Sequence, residues 1–163
     1  MIKVESHFEG AAIEIVDALQ ATKVRLKIPK DANSCTRQWF YFSISTPAPE
    51  KHSIELVNAE KVSFPMAWEG YQAFASYDNE EWFRVETRVA SGRLTIEHEA
   101  VSDTVYYAYF VPYSLARQRN LLQSIEHHPF VAIEALTKSP LGHNIDLIKV
   151  GEPAKNKKNV WLI

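Results

Sequence analysis

The sequence has few of the features that mark secreted, membrane or nucleic-acid-binding proteins. Among its 163 residues there is one cysteine, Cys35. A single thiol excludes an internal disulfide and a zinc site built from several thiolates. Its polar neighbours favour a loop or packing role. No apolar run approaches the roughly 20 residues that cross a bilayer, and residues 1–6 lack the basic and apolar regions of a secretory signal. We therefore expect a cytoplasmic protein with no membrane partner.

The charge balance excludes a further class. The formal net charge is −2, with 18 basic and 20 acidic side chains. Because the two signs are interspersed, no basic stripe could follow a phosphate backbone, and nucleic acid is not an expected partner. A hydrophobic content of 46% is that of a globular protein. The length suits one domain, or one small domain with part of another.

Residues 12–110 show an alternation of apolar and polar side chains that is typical of β-strands. Frequent Pro, Gly, Asn and Asp clusters separate the apolar segments. We predict strands at Val24–Ile28, Gln38–Ser45, Ile54–Leu56, Trp82–Val89, Arg93–Ala100 and Asp103–Phe110. Ala90-Ser91-Gly92 is expected to form the turn of a hairpin. Several short strands of this kind predict an antiparallel sandwich or barrel.

After Pro112 the pattern changes to helical spacing. Ser114 is a suitable N-cap, and Leu115, Leu121, Leu122 and Ile125 recur at helical intervals up to His127. A strand near Phe130–Leu136, a turn at Ser139–Gly142 and a strand at Asn144–Val150 follow. This order indicates the opening of an α/β or α+β domain.

The last residues, Val160–Ile163, form an apolar run after a lysine-rich loop. Such a run predicts a strand buried on both faces of a sheet. We expect that the chain continues beyond it in the complete protein. Because the incomplete sheet would leave a face and an edge open, we expect the region after about Phe130 to be either self-associated or loosely held. The sandwich before Tyr113 is expected to stay compact.

The residues show no motif of catalysis or metal binding. No two of the six histidines, His7, His52, His98, His127, His128 and His143, are spaced as a helical metal pair. Adjacent His127 and His128 would point about 100° apart on a helix, and a polar helix end is the expected role. Lysines 149, 155, 157 and 158 are expected in a solvated loop rather than an anion site. We therefore assign no catalytic residue and no metal ligand, and no substrate-binding residue is identified.

Aromatic side chains are the most suggestive group, and two interpretations stay open for them. They could form a sugar-binding platform on one face of the sandwich, or fill its core and pair across strands. We expect the core and cross-strand role for Trp39, Trp82 and the tyrosines of 103–110. The full set comprises Trp39, Phe40, Tyr41, Phe42, Trp68, Tyr71, Phe74, Tyr77, Trp82, Phe83, Tyr106, Tyr107 and Tyr109.

Five segments, taken in order, resemble the cytosolic-carboxypeptidase-like branch of the zinc carboxypeptidases. They are QWFYFSIS (38–45), EEWFRVETRV (80–89), DTVYYAYFVPYS (103–114), SPLGHNIDLIKVG (139–151) and KKNVWLI (157–163). In that family an N-terminal β-sandwich carries similar Trp-Phe-Tyr-Phe, Trp-x-Arg and Asp-Thr-Val-Tyr strands. A helix beginning near a Tyr-Ser, here Tyr113-Ser114, then opens the peptidase domain.

The resemblance implies that residues 1–113 are an antiparallel β-sandwich accessory domain and that 114–163 begin an α/β zinc-carboxypeptidase domain. The strand matching Val160–Ile163 precedes a His-x-x-Glu motif in the family, so the zinc ligands and the catalytic glutamate lie further on. The complete protein would use zinc to hydrolyse C-terminal residues of peptides or proteins. This segment would support the fold and wall the active-site entrance, with the remainder of the peptidase domain as its partner. It is expected to be inactive and to bind no zinc. The alternative is a free-standing β-sandwich module that binds sugar or peptide.

Overall fold

The computed structural model describes residues 2–151 of the chain. The chain divides after Pro112 into two compact units, which we name the first unit (residues 2–112) and the second unit (residues 113–151). The strands of the first unit are β1 (Lys3–Glu5), β2 (Glu14–Asp17), β3 (Val24–Lys27), β4 (Tyr41–Ser45), β5 (Lys51–Leu56), β6 (Phe74–Ser76), β7 (Phe83–Arg84), β8 (Glu86–Ala90), β9 (Arg93–Glu99) and β10 (Thr104–Ala108). The second unit contains α1 (Leu115–Ile125), β11 (Val131–Lys138) and β12 (Asn144–Val150).

The first unit is mainly β and contains two five-stranded sheets. Sheet 1 has the order β1-β4-β10-β6-β7, and sheet 2 has the order β2-β3-β5-β9-β8. Neighbouring strands are antiparallel except β3 and β5, which are parallel. The aromatic strand β4 lies inside sheet 1, as its apolar side chains on both faces predict.

Both sheets contribute to one hydrophobic core. Every second residue of β5 is buried, as are Leu94 and Ile96 on β9, and Ile54 and Leu56 lie opposite Ile96 and Leu94. Sheet 1 supplies Phe42 and Tyr107 from β4 and β10, together with other fully buried side chains. The period-two pattern of the sequence therefore identifies the core-facing positions correctly.

The single strand predicted at Trp82–Val89 is wrong. The chain forms β7 in sheet 1 and then β8 in sheet 2, with buried Val85 between them. At this crossing the Val85 amide donates to the Ala73 carbonyl at 3.0 Å, and the Thr87 hydroxyl accepts from the Ala73 amide at 2.9 Å. These bonds satisfy the backbone where the strand breaks, and they join residues distant in sequence.

The predicted turn after β8 is confirmed. Ala90 pairs with Arg93, and Ser91 and Gly92 between them have φ of 50° and 74°. Two successive positive φ angles match the right-handed twist of a hairpin and favour Gly at the second position.

The second unit follows the prediction closely. The Ser114 hydroxyl accepts a hydrogen bond from the Arg117 amide at 3.1 Å and so caps α1. The helix ends at Ile125 rather than His127, because Pro129 disfavours helical geometry at His128. Strands β11 and β12 form an antiparallel hairpin. The predicted strand at Val160–Ile163 lies outside the described residues.

The helices within residues 2–151 are too short and too polar to span a membrane.

Candidate functional site

The aromatic residues divide between the core and the outer face of sheet 1. Phe40, Phe42, Trp68 and Tyr107 are buried in the core. Trp39 and Trp82 are half-buried and lie outside that core. The expected packing role is therefore confirmed for the core rings. The two tryptophans do not belong to the core.

Tyr41 organises the half-buried aromatic side chains on the outer face. It is 5% exposed, and the rings of Phe8, Trp39 and Trp82 pack edge-on against it with centroids 4.9, 6.1 and 5.9 Å away. Its hydroxyl donates to Asn79 Oδ1 at 2.9 Å, and burial raises the pKa of Tyr41 to about 12. These rings pack against one another around Tyr41, which favours the packing role over a sugar-binding platform.

A polar network lies between the two sheets. Tyr107 on β10 of sheet 1 places its hydroxyl 2.7 Å from His52 Nδ1 and 2.9 Å from His98 Nδ1, both on sheet 2. His98 Nε2 lies 3.1 Å from the hydroxyl of Tyr77. We name these four residues the cross-sheet network.

Burial determines the protonation states in the cross-sheet network. His52 is fully buried, and burial lowers its pKa to about 4, with a smaller contribution from the nearby His98. Burial also lowers the pKa of His98, although Glu99 opposes the shift, and burial raises the pKa of Tyr107. At neutral pH both imidazoles are therefore uncharged and Tyr107 keeps its proton.

An open cleft of about 310 Å³ lies beside His98, where the chain crosses from β7 to β8. Its charged side chains are already engaged: Lys51 pairs with Glu97 at 3.2 Å, and Arg84 Nη1 donates to the Gln72 carbonyl at 2.8 Å. Both ring nitrogens of His98 are hydrogen-bonded. The carboxylates of Glu86, Glu97 and Glu99 also line the cleft, and each pairs with a basic side chain.

The remaining residues considered from the sequence do not come together. His7, His127, His128, His143 and Lys149 are exposed, and Cys35 is also exposed. Lysines 155, 157 and 158 lie outside the described residues. Between residues 2 and 151, no three His, Cys, Asp or Glu side chains are grouped as metal ligands.

The cross-sheet network was not predicted from the sequence, although the sequence does indicate where two of its members, His52 and His98, lie. His52 precedes Ile54 and Leu56 by two and four positions, and His98 follows Leu94 and Ile96 in the same way. The alternation thus places both histidines on the core face. Their convergence on Tyr107 depends on how the two sheets pack, which no local pattern specifies.

Comparison with known proteins assigns the family. Residues 4–110 match the family described as the cytosolic carboxypeptidase N-terminal domain. The chain belongs to this family, as the five sequence segments indicate.

Solved structures extend the likeness into the second unit. The chain is similar to a metallo-carboxypeptidase from Burkholderia cenocepacia, with 31% identity and a TM-score of 0.90 over 96% of this chain. It is also similar to a metallo-carboxypeptidase from Pseudomonas aeruginosa, solved in complex with (2-guanidinoethylmercapto)succinic acid, with 34% identity and a TM-score of 0.85 over 94% of this chain. It covers 41% of each of those chains.

A curated relative shows the same relation. An uncharacterized protein of Zymomonas mobilis is 32% identical over 99% of this chain, which covers 42% of that protein. The chain therefore spans about two fifths of the length of the relatives it matches.

Proposed function

We propose that the chain is the N-terminal part of a cytoplasmic zinc-dependent carboxypeptidase. In this proposal, residues 1–113 form a β-sandwich accessory domain, and residues 114–163 begin the catalytic domain. The observation that carries the proposal is the match to the Burkholderia cenocepacia metallo-carboxypeptidase. The match includes 96% of this chain but only 41% of that protein. The substrates are the C-terminal ends of peptides or proteins.

Burial supports different roles for the two units. The first unit has one core with fully buried side chains from both sheets. In the second unit no described residue is buried, as befits elements that pack against further parts of a domain. In this proposal the first unit supports the peptidase domain and forms a wall of its active-site entrance, and the remaining peptidase domain is its partner.

In this proposal the zinc ligands belong to the part of the complete protein that lies beyond this chain. A bound zinc ion would activate water for attack on the scissile carbonyl. The described residues have no grouped ligands for it, so we assign no catalytic step to them. The chain by itself is expected to be inactive.

The test begins with the gene sequence that follows the codon for Ile163. A His-x-x-Glu motif is expected shortly after it. The longer protein should release C-terminal residues from a set of peptides followed by mass spectrometry, and chelation should abolish that release. Replacing the motif histidine with alanine provides the matched control, and the 163-residue chain is the second control.

Two results would contradict the proposal. One is a reading frame that stops at Ile163. The other is a longer protein that binds stoichiometric zinc but releases no C-terminal residue from any peptide tested.

A further inference from the structure

The cross-sheet network is one of the few polar connections in the core of the first unit. Tyr107 comes from β10 of sheet 1, whereas His52 and His98 come from paired positions on β5 and β9 of sheet 2. The Tyr107 ring also stacks on Phe42 with centroids 5.6 Å apart. A single hydroxyl therefore connects one sheet to both histidines of the other.

The number of protons limits how the cross-sheet network can be arranged. The Tyr107 hydroxyl has one hydrogen and lies within hydrogen-bond distance of two Nδ1 atoms. With both rings neutral, it donates to one Nδ1 and accepts from the other. This arrangement is complete at Tyr107 and needs no charge.

His52 cannot accept another proton without a penalty. Its Nε2 is buried and has no hydrogen-bond partner among the described residues. A doubly protonated ring would place a positive charge and an unpaired N–H inside the core. Burying either is costly, since a charge needs a partner and a donor needs an acceptor.

The groups that surround His52 do not offset this penalty. The facing groups are His98 from β9 and Tyr107 from β10, and neither is an anion at neutral pH. The nearest ion pairs join Lys51 to Glu97 and Glu99. These side chains alternate with His52 and His98 along β5 and β9, so they point to the opposite face of sheet 2. Glu99 favours the charged form of His98, which makes His98 the less sensitive ring.

We propose that the cross-sheet network is a proton-sensitive latch, in which protonation of His52 opposes the packing of the two sheets and destabilises the first unit in mild acid. The sign follows from the depressed pKa of about 4 in the folded chain, against an ordinary value of 6.5. The stabilisation is complete above the ordinary value and is lost as the pH falls toward the folded value. With those two values, the unfolding equilibrium constant should rise about 20-fold between about pH 7 and about pH 5 through His52 alone.

The experiment measures urea unfolding of the 163-residue chain at a series of pH values, by tryptophan fluorescence. His52→Asn keeps a hydrogen-bonding group near the position of Nδ1 but cannot become charged. It should remove most of the 20-fold change expected from the latch. His143→Asn is the matched control, because His143 is exposed, and it should keep the full pH dependence.

A direct measurement covers the case in which His52→Asn fails to fold. The ring resonances of His52 are followed by NMR in the wild-type chain and should stay those of a neutral imidazole down to about pH 5. A His52 ring that titrates near its ordinary pKa would overturn the proposal. So would a His52→Asn variant that keeps the wild-type pH dependence.

Discussion

The Asn58 side chain hydrogen-bonds to the backbone of Ile28 as a neighbouring strand would, and its removal should destabilise the first unit strongly. Its side chain is 5% exposed. Oδ1 accepts from the Ile28 amide at 3.0 Å, and Nδ2 donates to the Ile28 carbonyl at 3.0 Å. One amide therefore satisfies both backbone groups of a fully buried residue just beyond the end of β3.

The cost of Asn58→Ala can be worked out from those two bonds. The substitution leaves a buried N–H and a buried C=O of Ile28 without partners, and each unsatisfied group costs about 1–3 kcal/mol. We expect the free energy of unfolding to fall by about 2–6 kcal/mol, a large part of the 5–15 kcal/mol that is typical of a domain. Urea denaturation at neutral pH, followed by tryptophan fluorescence, measures this difference.

Asn58→Asp distinguishes the hydrogen-bond argument from a simple loss of volume. Its carboxylate can accept from the Ile28 amide but cannot donate to the Ile28 carbonyl. The protonated carboxyl can do both, so the folded chain should raise the pKa of this Asp. Relative to the wild type, the variant should therefore gain stability as the pH falls.

Asn120→Ala is the control, since Asn120 is exposed on α1 and should change the stability by no more than about 0.5 kcal/mol. An Asn58→Ala variant that unfolds at the same urea concentration as the wild type would refute the argument. An Asn58→Asp variant with an unchanged pH profile would do so too.

Three further substitutions test local features of the fold. Gly92→Ala should lower the stability by about 1–2 kcal/mol because residue 92 has a positive φ. The added Cβ itself would meet only the flexible side chain of Glu60, which can move away. An unchanged melting temperature would contradict this. Trp68→Ala should cost about 3–5 kcal/mol, as for a buried ring, whereas half-buried Trp39→Ala should cost less in the same urea assay. Ser114→Ala should weaken the start of α1 by about 0.5–2 kcal/mol, and faster amide exchange confined to that helix would support it.

The sequence predicts those elements whose signals are local. Strand β12 is placed at its observed limits, and the Ser114 cap sets the start of α1. In both cases the decisive side chains are close together in the chain. The buried faces of β5 and β9 are equally clear, since strict alternation identifies which side chains point inward.

The features that could not be predicted depend on contacts between distant segments. The short strands β1, β2 and β6 have three or four residues each, and they are defined by their pairing with β4, β3 and β10. The crossing at Val85 depends on Ala73, and the parallel pairing of β3 with β5 depends on the global topology. The cross-sheet network is of the same kind, because only packing brings Tyr107 to both histidines.

The second unit has little apolar packing of its own to keep it ordered. None of its described residues is buried, and large apolar side chains such as Leu136, Leu141 and Val150 are 63%, 85% and 76% exposed. A helix of 11 residues and a two-stranded hairpin are each marginal in water without apolar packing.

We therefore expect residues 113–151 to self-associate or to be loosely held in the isolated chain, while the first unit stays compact. Limited proteolysis should cut within the second unit and leave a stable fragment that ends near Pro112. Sizing at several concentrations distinguishes self-association, which grows with concentration, from loose attachment, which does not. The opposite result would be a strict monomer in which residues 113–151 resist the protease as well as the first unit does. The exposed apolar side chains would then have to be covered within the chain itself. That result would remove the support that burial gives to a catalytic domain that begins here.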